Sequence, residues 1–108
     1  MKTGYIYSKG EIRETAINIL NLERNCEVWK NNNLAVPGRK FIGRKGVPDI
    51  IGFHRLTGVY VGCEVKTVSD RLSEDQECFL RQLKAAGGFA LLAIQKDSRI
   101  EIIDYETM

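Results

Sequence analysis

The sequence predicts an α/β or α+β domain in which a central mixed β-sheet is flanked by helices. Two stretches, about 9–23 and 73–86, carry apolar residues at helical spacing, and each begins at a capping box. Apolar runs of strand length lie between and after them. Because the second helix connects the runs at 59–66 and 89–94, we expect a right-handed crossover between two parallel strands.

The first helix is predicted from its capping box and its apolar stripe. Ser8 is the expected N-cap, Glu11 is the third helical residue, and Asn25 is the expected stop. The residues that form the stripe are Ile12, Ala16, Ile19 and Leu20. A short strand at 26–30 follows, and its Trp29 is interpreted as a core residue.

The middle of the chain is predicted to be a basic, glycine-containing loop followed by two strands. The loop covers 34–48 and includes a possible brief strand at 41–42. The strands cover 49–53 and 59–66, with a turn between them. Glycines beside cations favour close approach of the backbone to phosphates, although a basic loop taken alone is often only solvated.

The second helix begins at Ser73 and is terminated by Gly87-Gly88. Its expected core-facing residues are Phe79, Leu80, Leu83 and Ala86. Strands are predicted at 89–94 and 100–103, which completes the sheet.

Size and composition limit the class of protein. The 108 residues are enough for one domain, predicted over 1–108, and no apolar run approaches the roughly 20 residues that span a bilayer. The N-terminus lacks a signal-peptide apolar region, and three widely spaced cysteines form neither a zinc motif nor a disulfide framework. We therefore predict a cytoplasmic protein without a membrane partner.

Charged side chains gather where two predicted strands meet. Residues i and i+2 of a strand share a face, so Glu64 and Lys66 point the same way while Val65 points into the core. If the two strands pair, Asp49 lies close to that face. Such charges are costly at the edge of an apolar sheet unless they are paired or hold a metal. From the spacing alone, an ion-pair cluster and a metal site both remain open.

The surrounding motifs resemble the VRR-NUC family of the PD-(D/E)xK nuclease superfamily. The motifs are GVPDIIG at 46–52, EVKT at 64–67, RLS at 71–73, Gln76, AGG at 86–88 and, ahead of them, WKNN at 29–32. The likeness extends from about Glu11 to Ile94. It implies a restriction-endonuclease-like core, and the small stand-alone members of the family come from phages and bacteria.

The resemblance also implies a metal-dependent mechanism. Asp49 and Glu64 would hold Mg²⁺ or Mn²⁺ together with the backbone carbonyl of Val65, since all of these are hard oxygen ligands. Lys66 would position the attacking water or stabilise the charge that develops on the phosphate. An ion pair from Lys66 to Glu64 or Asp49 is the alternative.

A further carboxylate from the first helix usually completes such a site. Glu14 has the isoleucine that the family places three residues later, whereas Glu11 lies nearer the apolar stripe and at a better distance from Trp29, so Glu11 is favoured and Glu14 is the alternate. Gln76 matches a glutamine near the family's site, and this role is favoured; a capping role is the alternative.

The implied substrate is branched DNA, cut by a homodimer, with the Holliday junction favoured. The residues expected to contact DNA are Lys30, Arg39, Arg44, Lys45, Arg71 and Ser73. The other hypotheses are a flap, single-strand or restriction-like nuclease and a non-catalytic DNA-binding module. A nucleotide cofactor is not expected, because the sequence has no Walker or Rossmann glycine pattern.

Overall fold

In the part of the chain that the structure describes, the fold is one mixed sheet with a helix on each face. A computed structural model describes residues 4–32 and 44–106. In these residues the elements are α1 (Lys9–Glu23), β1 (Cys26–Lys30), β2 (Ile50–His54), β3 (Tyr60–Lys66), α2 (Glu74–Ala85), β4 (Phe89–Lys96) and β5 (Arg99–Asp104). The five strands lie in sequence order, and only β3 and β4 pair in parallel.

The predicted fold class is confirmed, and the element bounds agree to within two residues. The parallel pair β3–β4 is joined through α2, as the strand–helix–strand pattern predicts. Strand β2 begins at Ile50, so Asp49 lies just ahead of the strand and not inside it. The brief strand expected at 41–42, like Arg39, lies outside the described residues.

Helix α1 starts and stops where local chemistry requires. The Ser8 hydroxyl accepts from the Glu11 N–H at 3.1 Å, and the Glu11 carboxylate accepts from the Ser8 N–H at 2.8 Å. At the other end Asn25 has φ of 56°, a left-handed conformation that asparagine tolerates better than most residues. The capping box therefore fixes the residue at which α1 begins.

The larger core lies between α1 and the sheet. Ile12, Ala16 and Leu20 are buried, and Ile19 packs against them in part. Full burial of each large aliphatic side chain contributes about 1.5–3 kcal/mol. The buried residues that the strands contribute are Cys26, Val28, Ile50, Val61, Cys63, Val65, Leu91, Ala93 and Ile102. All three cysteines of the chain are free.

Helix α2 packs on the opposite face, over β3 and β4. Leu80 and Leu83 are buried as predicted, and Phe79 is partly buried. Ala86 was predicted to face the core, and this is wrong: it is the exposed C-cap, because the helix ends one residue earlier and Gly87 then takes φ of 93°.

Trp29 is not a core residue, contrary to the interpretation from the sequence. Along β1 the side chains of Cys26 and Val28 are buried against α1, while Trp29 points to the other face and is 48% exposed. Helix α2 covers that face over β3 and β4, so the ring at the edge of the sheet stays at the surface.

A side chain from α1 forms hydrogen bonds with the outer edge of β1. The Asn21 amide donates to the Val28 carbonyl at 3.1 Å, and the Asn21 carbonyl oxygen accepts from the Val28 N–H at 2.8 Å. These bonds satisfy the two backbone groups that the middle residue of an edge strand would otherwise expose.

Candidate active site

Asp49 and Glu64 meet at one end of the sheet. Strands β2 and β3 are antiparallel with Ile50 opposite Cys63, so continuing the register by one residue sets Asp49 across from Glu64. The Asp49 carboxylate accepts from the backbone N–H of Val65 at 3.3 Å. The convergence predicted from the strand spacing is therefore present in the structure.

Glu64 is a carboxyl group in an apolar setting. Its side chain is fully buried, and neither of its oxygens has a hydrogen-bond donor among the described residues. Burial first, and then the adjacent Asp49 carboxyl, raise the pKa of Glu64 to about 8. Unpartnered buried oxygens of this kind destabilise the fold, and a functional role is one reason for which a protein retains them.

Lys66 shares the face of Glu64 at the open end of β3. It is partly buried, and burial lowers its pKa, while the nearby acids Asp70, Glu64 and Asp49 act in the opposite direction. Within residues 4–32 and 44–106, Lys66 is in no ion pair with Glu64 or Asp49. The Lys66 ammonium group is therefore near the Glu64 and Asp49 carboxylates and forms an ion pair with neither.

Lys9 is the site residue that sequence reasoning missed. Its ammonium lies 3.6 Å from the Asp49 carboxylate, and its charge lowers the pKa of both Glu64 and Lys66. Lys9 is the first residue of α1. The capping box in the sequence located this first turn correctly, but only the packing of α1 on the sheet shows that the turn lies beside Asp49.

For the nuclease that the resemblance implies, we expect Lys9→Met to lower kcat for DNA cleavage about tenfold, equivalent to about 1.4 kcal/mol, with little change in Tm. A cation beside Asp49 supports charge at the reacting phosphate, whereas a partly exposed ion pair contributes little to stability. Steady-state kinetics and thermal unfolding measure the two effects. Lys9→Arg should retain activity, and Arg13→Met, which removes the same charge one turn along α1, should change kcat much less.

The two candidate helix carboxylates lie apart from Asp49 and Glu64. Glu11 bonds the Ser8 N–H and, at 2.7 Å, the Tyr5 hydroxyl, and these bonds lower its pKa. Glu11 and Glu14 are exposed and line another hollow. Within the described part of the chain, no group of three or more acids, histidines or cysteines is arranged to hold a metal.

A hollow of about 420 Å³ opens next to Asp49. It is lined by Arg44, Lys45, Gly46, Val47, Asp49, Ser73, Asp75 and Gln76. Four predicted DNA-contacting or site residues, namely Arg44, Lys45, Ser73 and Gln76, therefore converge there with Asp49. Asp75, in the first turn of α2, lines the same hollow. The N-terminus of α2 faces the same space and favours negative charge.

Gln76 has the capping role and also lines this hollow. Its side-chain oxygen accepts from the Ser73 N–H at 2.8 Å, and the Ser73 hydroxyl accepts from the Gln76 N–H at 3.2 Å. The capping interpretation is therefore confirmed, and the site role of Gln76 stays a prediction. Lys30 is exposed at the end of β1, and Arg71 is exposed ahead of α2.

Gly46 lets the segment before Asp49 lie against α2. It has φ of 82°, and a Cβ atom there would overlap the backbone carbonyl of Asp75. Pro48 follows and is fully buried, with its ring next to Gly62 of β3. The contact of Gly46 with the α2 backbone and the contact of the Pro48 ring with Gly62 thus fix the position of Asp49.

The residues present fit a hard divalent cation. Asp49 and Glu64 supply carboxylate oxygens on neighbouring strands, and both Glu64 oxygens lack a donor in the described chain. Mg²⁺ is commonly bound through one or two carboxylates, with waters and substrate oxygens as its other ligands. A pair of carboxylates, without a third acidic ligand in the described ranges, is therefore compatible with such a site.

A comparison with protein families decides the assignment. The model of the VRR-NUC domain matches residues 20–94, well over half of the chain. This chain belongs to the VRR-NUC family. A search of curated proteins gave no match.

Membership makes this VRR-NUC protein a nuclease, a hydrolase that acts on DNA. The matched residues include Asp49, Glu64, Lys66 and Gln76, whereas Glu11 lies ahead of them. No helix in the described ranges is long and apolar enough to cross a membrane.

Proposed function

We propose that this VRR-NUC domain, residues 1–108, is a Mg²⁺- or Mn²⁺-dependent endonuclease that cuts branched DNA in the cytoplasm, with the Holliday junction as its favoured substrate. The observation that carries the proposal is the buried Glu64 carboxyl, which has no donor in the described chain and lies across from Asp49 beside two lysines. Burying an unpaired carboxylate lowers the stability of the fold. A bound cation would pair with the Glu64 carboxylate, and it is the most direct explanation for the position of this group.

Asp49 and Glu64 would hold the metal, and the Val65 carbonyl is a further ligand in the proposal. A bound divalent ion would polarise the scissile phosphate and lower the pKa of a water. The Val65 N–H already fixes the Asp49 carboxylate from the protein side, which leaves the other carboxylate oxygen of Asp49 for this role. The helix carboxylate, Glu11 or Glu14, stays a prediction for the DNA-bound state.

Lys66 would orient the attacking water and stabilise negative charge as it develops on the phosphate. Its partial burial matters, because electrostatic interactions are stronger where water is excluded. Lys9 of α1 supplies a second cation, which lies next to Asp49. The two lysines would thus approach the reacting phosphate from different elements.

The hollow next to Asp49 would hold the DNA backbone. Arg44 and Lys45 supply positive charge, and Ser73 and Gln76 lie at the N-terminus of α2, where an anion is favoured. Lys30, Arg39 and Arg71 would contact phosphates farther along. Contacts of this kind position the DNA without reading its sequence.

The direct test is cleavage of a labelled four-way junction with Mg²⁺ or Mn²⁺. We expect cleavage by the parent protein and a loss of about 100-fold or more in Asp49→Asn, because metal stabilisation of the transition state is worth several kcal/mol. Asp104→Asn, the same change at the opposite end of the sheet, is the matched control. A parent protein inactive with both metals, or an Asp49→Asn variant as active as the parent, would refute the proposal.

The choice among DNA substrates depends on the oligomeric state. A homodimer presents two symmetric sites, which suit the two strands that must be cut in a junction. Sedimentation of the purified protein distinguishes a homodimer from a monomer. If the protein is a monomer and prefers flaps or single strands, these are its substrates and the Holliday junction is not. Binding of DNA without turnover would leave only a non-catalytic module.

A further inference from the structure

A row of aromatic side chains crosses the sheet on the face that carries α2. Trp29 of β1 and Phe53 of β2 meet edge to face, with ring centroids 6.4 Å apart. Phe53 is paired with Tyr60 of β3, and the Tyr60 ring lies 6.3 Å from Phe79 of α2. We call Trp29, Phe53, Tyr60 and Phe79 the aromatic row.

The strand members of the aromatic row are exposed. The accessible fraction is 48% for Trp29, 42% for Phe53 and 39% for Tyr60. Neighbouring aromatic rings at the surface leave apolar area in water, and a contiguous exposed area of this kind commonly marks a binding surface. Because three of the rings stand on paired strands, their spacing is fixed before any ligand arrives.

A cation lies at the α2 end of the aromatic row. Arg44 lies over the Phe79 ring, 5.0 Å from its centroid, and it also lines the hollow next to Asp49. Lys30 follows Trp29 at the other end and is exposed, but it alternates to the opposite face of β1, which it shares with Val28. The carboxylate on the Trp29 face of β1, Glu27, is already paired with Arg55 at 3.3 Å. Through Arg44 the row therefore continues into the hollow next to Asp49.

We infer that the aromatic row is a stacking surface for unpaired DNA bases, so that the branched substrate exposes unpaired bases at its branch point, beside the bond that is cut. This inference rests on the proposed function for the location of the cut. Flat aromatic rings bind the faces of all four bases, and adjacent cations neutralise the phosphates between them. That combination accepts a single strand of any sequence, whereas a paired and stacked duplex hides the base faces.

The charges favour DNA over a second copy of the chain as the occupant. Arg44 lies over the Phe79 ring, and Arg44 and Lys45 line the hollow into which the row leads. In a two-fold symmetric dimer built around Arg44 the same cations of both copies would meet, and like charges oppose association. A polyanion instead pairs with these cations.

Trp29 is the only tryptophan, so its fluorescence reports directly on the aromatic row. We expect saturable quenching when metal-free protein is titrated with a 12-nucleotide oligothymidylate, and much weaker quenching with a duplex of equal length. Phe53→Ala should weaken binding of the single strand about tenfold, equivalent to about 1.4 kcal/mol. Phe89→Ala is the matched control, since Phe89 is 43% exposed and lies outside the row.

The inference is overturned if the single strand does not quench Trp29, or if Phe89→Ala weakens binding as much as Phe53→Ala. It is also overturned if Trp29 emission changes with protein concentration alone and Phe53→Ala converts a dimer to a monomer in sedimentation, because the face then joins two copies. The titration needs neither metal nor cleavage. Quenching without junction cleavage would therefore refute only the proposed endonuclease, and cleavage without quenching would refute only the stacking surface.

Discussion

Glu64→Gln is expected to stabilise the metal-free protein at pH 8 while it abolishes DNA cleavage. The pKa of Glu64 is about 8 in the folded protein, well above its ordinary value near 4.5. When the folded pKa of an acid is raised, the unfolded chain ionises first, so stability is lost as pH rises from about 4.5 to 8. Each pH unit in that interval corresponds to about 1.4 kcal/mol, and we expect a gain of about 2 kcal/mol or more from the neutral amide.

Urea unfolding in the presence of a chelator, at pH 5.5 and at pH 8.5, measures this effect. The free energy of unfolding of the parent should fall more between these pH values than that of Glu64→Gln. Glu23→Gln removes an exposed carboxylate at the far end of α1 and should follow the parent. Equal pH dependence in the parent and in Glu64→Gln would contradict the prediction, as would a variant that cleaves DNA normally.

Gly46→Ala is expected to destabilise the protein by about 2–4 kcal/mol and to reduce cleavage strongly. An alanine at φ of 82° is strained, and its methyl group would overlap the Asp75 carbonyl. The backbone must then move away from α2, and Asp49 lies three residues on. Chemical unfolding and junction cleavage measure the two consequences.

Gly58→Ala is the matched control for Gly46→Ala. Gly58 has φ of 76°, but a Cβ atom there meets no described atom within 4 Å. This variant should lose only the stability of about 1–2 kcal/mol that a left-handed backbone conformation costs a residue other than glycine, and it should keep its activity. If both variants lose the same stability and both remain active, contact between Gly46 and α2 does not position the site.

The elements and the Asp49–Glu64 pair could be predicted because local chemistry determines them. Each helix begins at a reciprocal capping box, and α2 ends at a left-handed glycine. The turn at 54–58 makes β2 and β3 an antiparallel pair, and pairing alone then sets Asp49 across from Glu64. Side-chain alternation along β3 gave the shared face of Glu64 and Lys66.

Lys9, Trp29 and the burial of Glu64 required the tertiary structure. Lys9 reaches Asp49 only because α1 packs with its first turn at that end of the sheet. Trp29 stays at the surface because α2 packs over β3 and β4 and does not extend to the edge strand. These outcomes depend on where each helix lies on the sheet, and hydrophobic periodicity predicts which side of a helix is buried without predicting that position.

The Asn21 bonds to Val28 bear on how copies of this protein can aggregate. A foreign strand that adds to β1 must first displace two hydrogen bonds from the middle residue of a five-residue strand. Growth of an intermolecular sheet from this edge is therefore disfavoured even at high protein concentration. Self-association of the native protein should proceed through side-chain surfaces or through the edge at β5.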